Sequence, residues 1–238
     1  MIEAGPGAPV AETALAAIRT AGAGRPFVVA QLGQSLDGRI ATQSGESRFI
    51  NAAPALDHLH RLRACVDAVV VGVGTILADD PQLTVRRVAG RSPARVVIDP
   101  QGRLGAGDKW LARDGARLFL VSAAGRAPHG AELIRLPADN GLIAPAMIIE
   151  ALAARGLNKI LIEGGAKTIS AFIDARCIDR LHVMVAPVII GSGKTGIDLR
   201  PIDLLSQALR PRVEVHDLGG GEVLFDCGLK EPAPPTQD

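Results

Sequence analysis

The 238-residue chain has no tyrosine, and aromatic residues make up only 3% of it. A surface that reads single-stranded nucleic acid stacks bases on such rings, so this partner class is not expected. A surplus of one charge is missing as well. The 26 Lys and Arg residues face 25 Asp and Glu, a formal net charge of +1 that favours neither nucleic acid nor an acidic partner. Cysteine is scarce: Cys65, Cys177 and Cys227 form no C-x-x-C pair, and the five histidines do not stand at ligand spacings. These read as inert thiols in a reducing compartment, with no metal site. No run of about 18 apolar residues occurs, so no membrane span is expected. Residues 1–24 are rich in Ala and Gly, but Glu3, Pro6, Pro9 and Glu12 interrupt them, and the basic start and apolar run of a signal peptide are missing. The cytoplasm is the expected location.

What is present is aliphatic. Hydrophobic residues make up 47% of the chain, with 27 Gly and 16 Pro to turn it. Residues 1–25 read as a flexible arm with a short helix over Ala11–Ala21, residues 26–229 as a folded domain, and residues 230–238 as a disordered, Pro-rich tail. Short apolar runs predict strands at Phe27–Leu32, Asp67–Val73, Arg95–Asp99, Leu118–Val121, Leu133–Leu136, Lys159–Glu163 and Leu181–Ala186. Helices are expected from Ala52 to Ala64, capped by Asn51 and with Leu56, Leu59 and Leu62 on one side, from Ile143 to Ala154, and from Lys167 to Ala175. Val213–Val215 and Val223–Phe225 flank Gly219-Gly220-Gly221 as a hairpin. The alternation gives an α/β domain whose mixed sheet is mostly parallel and ends in an antiparallel C-terminal hairpin.

Two glycine turns follow buried strands. In Glu163-Gly164-Gly165-Ala166-Lys167-Thr168 the paired glycines open a helix, whose start offers unpaired N–H groups to a phosphate. The same pattern also serves as a purely structural turn. It matches neither the G-x-G-x-x-G nor the P-loop signature. Glu163 stands at the carboxyl edge of the sheet, where open α/β folds bind ligands, or it simply braces its own turn. In the second turn, Gly72-Val73-Gly74-Thr75 leads to Asp79-Asp80-Pro81. Neighbouring acids point apart, so Asp79 is placed toward a ligand and Asp80 against the turn, unless both only solvate it.

The chain resembles a known family in a series of motifs that occur in order. They are Ser35-Leu36-Asp37-Gly38-Arg39-Ile40-Ala41, Gly45-Glu46-Ser47, Leu62-Arg63-Ala64, Val71-Gly72-Val73-Gly74-Thr75, Asp79-Asp80-Pro81-Gln82-Leu83-Thr84-Val85-Arg86 and Glu163-Gly164-Gly165. Together they are similar to the reductase domain of the riboflavin biosynthesis deaminase/reductase and to its stand-alone archaeal and fungal relatives, over roughly residues 26–228. The zinc deaminase signature is missing. The resemblance implies a dihydrofolate-reductase-like sheet with helices on both faces, NADPH as cofactor and a homodimer. It implies reduction of the ribosylamino group of a phosphorylated pyrimidine to ribitylamino.

Carried over by position, the NADPH contacts are Gly33, Phe49, Thr75, Asp79 and the helix start Gly165, Ala166, Lys167, Thr168, Ile169, Ser170 and Ala171. The substrate contacts are Gln31, Ser47, Arg63, Leu83, Arg86 and Glu163, with Arg63 and Arg86 as clamps on the 5′-phosphate. Asp79 and Glu163 are the expected catalytic carboxylates. Three positions depart from the family pattern: Gln31 where many bifunctional members have Lys, Phe49 where Trp is frequent, and Pro100 in place of a Ser that contacts the cofactor. A same-fold reductase of a pterin or another pyrimidine nucleotide, and a nucleotide-binding module without turnover, remain open on the residues alone. So does the choice between a deaminated and a diamino substrate.

Overall fold

The structure, a computed structural model, describes residues 10–21, 24–48, 50–105 and 108–230. Helix α1 (Val10–Thr20) precedes strands β1 (Phe27–Ser35) and β2 (Arg39–Thr42). Then come α2 (Ala53–Cys65), β3 (Ala68–Gly72), α3 (Val73–Asp79), β4 (Ala94–Ile98), β5 (Leu118–Ser122) and β6 (Glu132–Arg135). The second half holds α4 (Pro145–Ala153), β7 (Lys159–Glu163), α5 (Ala166–Asp174), β8 (Arg180–Ala186), β9 (Gly193–Thr195), β10 (Arg212–Gly219) and β11 (Glu222–Gly228).

One nine-stranded sheet runs in the order β10-β11-β8-β1-β7-β3-β4-β5-β6. From β8 to β6 all neighbours are parallel, and β11 and β10 add antiparallel pairings at one edge. Parallel strands covered on both faces must be apolar throughout, which explains the near-continuous Ala-Val-Val-Val of β3 and Ile-Leu-Ile of β7. Val28, Ala30, Leu32, Val70 and Ile162 pack on one face against Ile148, Leu152, Ile169 and Phe172 of α4 and α5. Val29, Val69, Val71 and Leu161 pack on the other against Leu15, Ile18, Leu62 and Ile76 of α1, α2 and α3. The fold is thus the expected mixed sheet with helices on both faces. The small antiparallel pair of β2 and β9 was not foreseen. No helix among the described residues is long and apolar enough to cross a membrane.

The expected arm differs from what is found. Its described part is α1, whose Ala14, Leu15 and Ile18 are fully buried, so this segment belongs to the core rather than hanging from it. The tail beyond Lys230 lies outside the described residues.

Helix α2 corrects two expectations. Asn51 does not cap it. Ala52 holds the N-cap position without a side-chain bond, and the buried Glu222 of β11 accepts the backbone N–H of Ala52 (2.8 Å) and of Ala55 (3.3 Å). Asn51 Nδ2 donates to the same carboxylate at 3.0 Å. A carboxylate at the positive end of a helix satisfies its orphan N–H groups and its dipole together, which a neutral amide does less well. Nor is the covered face a leucine stripe: Ala55, His58, His60, Leu62 and Arg63 are buried, while Leu56 is exposed.

The sheet beneath α2 explains this polar face. Asp226, His182, Gln31 and Glu163 stand in register across β11, β8, β1 and β7, and residues in register share a face. His58 Nε2 and His182 Nδ1 share a hydrogen bond at 3.1 Å, and His182 Nε2 lies 3.2 Å from Asp226 Oδ1. Arg180 closes the chain with two bonds to Asp226, of 2.7 and 2.6 Å.

Burial, reinforced by His182 and Arg61, holds the pKa of His58 down to about 3. Unfolded histidine takes up a proton below about pH 6.5, whereas the folded ring stays neutral. The unfolded state then binds more protons, so His58 contributes stability that is lost as pH falls from about 6.5 toward 3, at about 1.4 kcal/mol per pH unit. Urea unfolding followed from about pH 7 to pH 4.5 is expected to show a falling midpoint, with a shallower fall in His58→Leu. An unchanged slope in that variant excludes His58 as the source.

Candidate active site

The site lies at the carboxyl ends of β1, β7 and β3. Glu163 ends β7, and Gly164 follows with φ +100°, a conformation that L side chains resist. A Cβ on Gly164 would come within 2.6 Å of Thr75 Oγ1 in α3. That hydroxyl accepts the Gly165 N–H at 3.0 Å. In return, a Cβ on Gly72 would overlap Thr168 Oγ1 of α5. The two glycine turns therefore interlock, each glycine leaving room for a threonine from the other turn.

Helix α5 starts at Gly165 without a side-chain cap, so its first N–H groups point out of the sheet edge. Of the seven residues expected to contact a cofactor, Ala166 and Lys167 form this open end, while the N–H of Gly165 goes to Thr75 and that of Thr168 to the Gly165 carbonyl. Ile169 and Ser170 are buried, and Ser170 Oγ accepts the Asp198 N–H at 2.8 Å; Ala171 is half-buried one turn in. On β1, a Cβ on Gly33 would overlap Asn51 Oδ1, so the bare backbone there is already covered. Phe49 lies outside the described residues.

At the centre Arg63 meets Glu163 in a two-pronged pair, Nε to Oε1 and Nη2 to Oε2, both 2.7 Å. Burial works against the Arg63 charge, but the charge of Glu163 and its hydrogen bonds outweigh that and raise the guanidinium pKa. Arg63 Nη1 donates to the Thr84 carbonyl at 3.1 Å. Arg63 is thus committed to protein partners, at variance with its expected use as a phosphate clamp. A sequence shows the guanidinium but not the carboxylate 100 positions away that neutralises it. Gln31, also buried, stands beside Glu163 in register.

The loop after α3 supplies the remaining groups. Asp79 is exposed, with Ser47 Oγ 3.4 Å from its Oδ1. Asp80 adopts the left-handed conformation (φ +40°) and turns away to accept the Lys109 N–H at 2.6 Å, bracing the loop. Leu83, at φ +57°, buries its side chain in the core, so only its backbone faces the site. Arg86 is exposed and has no carboxylate partner among the described residues; its Nη1 reaches only Thr84 Oγ1, at 3.4 Å. Burial, then the charges of Arg63 and Arg87, lower its pKa.

Sequence reasoning missed Glu222, His58, His60 and His182, which hold this site from behind, and gave Asn51 a capping role in place of its bond to Glu222. Glu214, His216 and Asp226 also come together, with ligand atoms within 4.8 Å of one another, although Arg180 already engages Asp226 and reaches Glu214 at 3.7 Å. The acidic pattern Asp79-Asp80 was the one local signal that carried directional information.

Removing one partner of the Arg63–Glu163 pair strands the other charge in a buried place. Arg63→Met and Glu163→Gln are each expected to lower unfolding free energy by about 3–5 kcal/mol, and Arg63→Met with Glu163→Leu to recover more than half of that. Chemical denaturation of the four proteins checks this, and additive losses would show that the two groups act independently.

A family model for the RibD C-terminal domain matches residues 26–215. The chain is 32% identical over 215 residues to the 2,5-diamino-6-ribosylamino-4(3H)-pyrimidinone 5′-phosphate reductase of Methanothermobacter thermautotrophicus, covering 87% of this chain and 99% of that protein. It is 31% identical over 207 residues to the riboflavin biosynthesis protein RibD of Aquifex aeolicus, covering 84% of this chain but 57% of that one. The chain thus spans the archaeal protein almost fully and little more than half of the RibD protein. Among solved structures it is similar to the Thermotoga maritima diaminohydroxyphosphoribosylaminopyrimidine deaminase/5-amino-6-(5-phosphoribosylamino)uracil reductase, with a TM-score of 0.74 at 28% identity over 87% of this chain and 57% of the other. It shares its fold with the riboflavin biosynthesis reductase Rib7 of Saccharomyces cerevisiae, with a TM-score of 0.73 at 21% identity over 92% of this chain and 99% of that one. By sequence match over most of its length, the chain belongs to the RibD C-terminal domain family.

Proposed function

We propose that this protein is an NADPH-dependent reductase of riboflavin biosynthesis, converting the ribosylamino group of a 5-phosphoribosylamino-pyrimidine to ribitylamino. The observation that carries this reading is the open sheet edge, where an uncapped helix start, the neutralised Glu163 and the uncommitted Arg86 converge. The positive end of α5, where Ala166 and Lys167 open the helix at the carboxyl edge of the sheet, suits dinucleotide phosphates. Phe49, Thr75, Asp79 and the first turn of α5 at Ala166 and Lys167 would hold NADPH, while Gly33, behind Asn51, and Ile169 to Ala171, inside the helix, support that surface. When bound, NADPH supplies the hydride that C1′ of the opened sugar requires.

The chain's own residues do the rest. Arg86 offers two parallel N–H groups to the 5′-phosphate, with the positive field of Arg63 and Arg87 behind it. Gln31, Ser47 and the Leu83 backbone orient the base and sugar. Glu163 holds substrate hydroxyl or amino groups as an acceptor, its charge balanced by Arg63. Asp79 is exposed beside Ser47 and stands in none of the ion pairs of this loop, and we assign it the proton at the opened ring oxygen, directly or through water.

Three further points belong to the same reading. The edge strand β10 with exposed Val213 and Val215, beside Phe225 of β11, is a suitable face for a second copy, making a homodimer. The cytoplasm supplies NADPH and a phosphorylated nucleotide substrate. Neither nucleic acid nor membrane is needed.

Incubation with NADPH and either the diamino or the deaminated substrate is expected to give cofactor oxidation and a ribitylamino product. Comparing the two rates identifies the preferred form. Asp79→Asn is expected to lower kcat by about 100-fold, a loss that persists at saturating NADPH. Cofactor binding without turnover of either substrate refutes the reductase reading, and an unaffected Asp79→Asn refutes only the proton assignment.

A further inference from the structure

The segment Leu83–Arg86 belongs to no helix or strand, so its backbone polar groups need other partners. Side chains supply them. Arg63 Nη1 donates to the Thr84 carbonyl, the Val85 N–H bonds Ser92 Oγ, and the Arg86 N–H bonds His60 Nδ1, each at 3.1 Å. His60 lies three residues before Arg63 on α2, the spacing that puts two side chains on one helix face. It is buried, although nothing in its own helix calls for an imidazole there.

The neighbouring cations are unequal. Arg63 is spent on Glu163, and Arg87 on Asp57 at 2.6 Å. Arg86 has no such anchor, so its position depends on its backbone. A ring that accepts at Nδ1 must be neutral, with its proton on Nε2. Burial, then Arg63, Arg86 and Arg87, hold His60 to a pKa of about 4 against the pull of Asp57. Neutrality has a second use. A carboxylate in this place would also accept the N–H, but it would compete with a bound phosphate for the Arg86 guanidinium.

We infer that His60 is a positioning residue for substrate phosphate: its hydrogen bond to the Arg86 backbone fixes where the Arg86 guanidinium stands. The role rests on the reading of Arg86 as the group that takes the 5′-phosphate. His60 touches no substrate atom and acts only through the loop.

Steady-state kinetics with the phosphorylated substrate and with its dephosphorylated nucleoside separate the two ideas. Arg86→Ala is expected to raise KM for the phosphorylated form by about 100-fold and to leave the nucleoside unaffected. His60→Leu is expected to raise the same KM by about tenfold with kcat within about twofold, and to add nothing in the Arg86→Ala background. His60→Asn, whose amide oxygen falls near the Nδ1 position, is expected to stay within about threefold of the parent. Should His60→Leu not fold, His60→Gln replaces it, because its amide oxygen falls near Nε2 and withdraws the acceptor while keeping bulk. Equal effects on both substrates, full additivity with Arg86→Ala, or identical His60→Gln and His60→Asn behaviour would overturn the positioning role and leave the clamp standing. Arg86→Ala without preference for the phosphorylated form would overturn the clamp, and the role of His60 with it.

Discussion

The Arg63–Glu163 pair is the contact on which the rest of the site depends. It ties α2 to the end of β7, and its third nitrogen reaches Thr84, so one guanidinium fixes a helix, a strand and a loop. Two charges taken out of water make a poor source of stability but a good source of geometry, because few arrangements satisfy both. The pair can form only if α2 lies at the right height and angle over the sheet. Two other polar contacts set that: Glu222 at the first turn of α2, and His58 on His182 in its middle. Helix α2 is therefore tied to the sheet by polar contacts at its start, middle and end, with Leu62 as its main apolar anchor in the core below.

The other half of the site follows a steric rule. Gly164 makes room for Thr75, and Gly72 makes room for Thr168. Two segments 90 positions apart are keyed together by the Gly165 N–H bond to Thr75 Oγ1. The key sets the spacing between β3 and β7 at their carboxyl ends, and so the width of the sheet edge in front of α5. Polar fixation of α2 on one side and steric fixation of α5 on the other leave the loop from Asp79 to Arg86 as the adjustable wall.

How much of this was legible in the sequence depends on how local each cause is. Strands β3 and β7 were plain because a parallel strand buried on both faces is apolar at every position. Of the two neighbouring acids, Asp80 does brace the loop, as expected of one of them from chain geometry. The extent of helix α2 was legible, and so were Ala55 and Leu62 on its covered face, but Leu56 is exposed and the buried His58, His60 and Arg63 were not foreseen there. Its true face is dictated by the row Asp226, His182, Gln31 and Glu163 beneath it, which only the sheet register assembles. Asn51 has the side chain of a cap, and a better acceptor from a distant strand took the position. Arg63 looked like a free cation for the same reason: its partner is remote in sequence. The pairing of β2 with β9 escaped because Gly193-Lys194-Thr195 has no strand character of its own.

The place of Glu222 in the chain bears on the order in which the molecule is assembled. The carboxylate that closes the first turn of α2 belongs to the final strand, 170 positions downstream of Ala52. On a ribosome, which releases the chain from its N-terminus, β1, β3 and β7 are available to pair before Glu222 emerges. Until then α2 has its N-terminal amides open to water, and Asn51 has no carboxylate to bind. The helix bearing His60 and Arg63 thus reaches its final seat only after β11 has emerged, so a nascent chain can pair β1, β3 and β7 before it carries a finished catalytic edge.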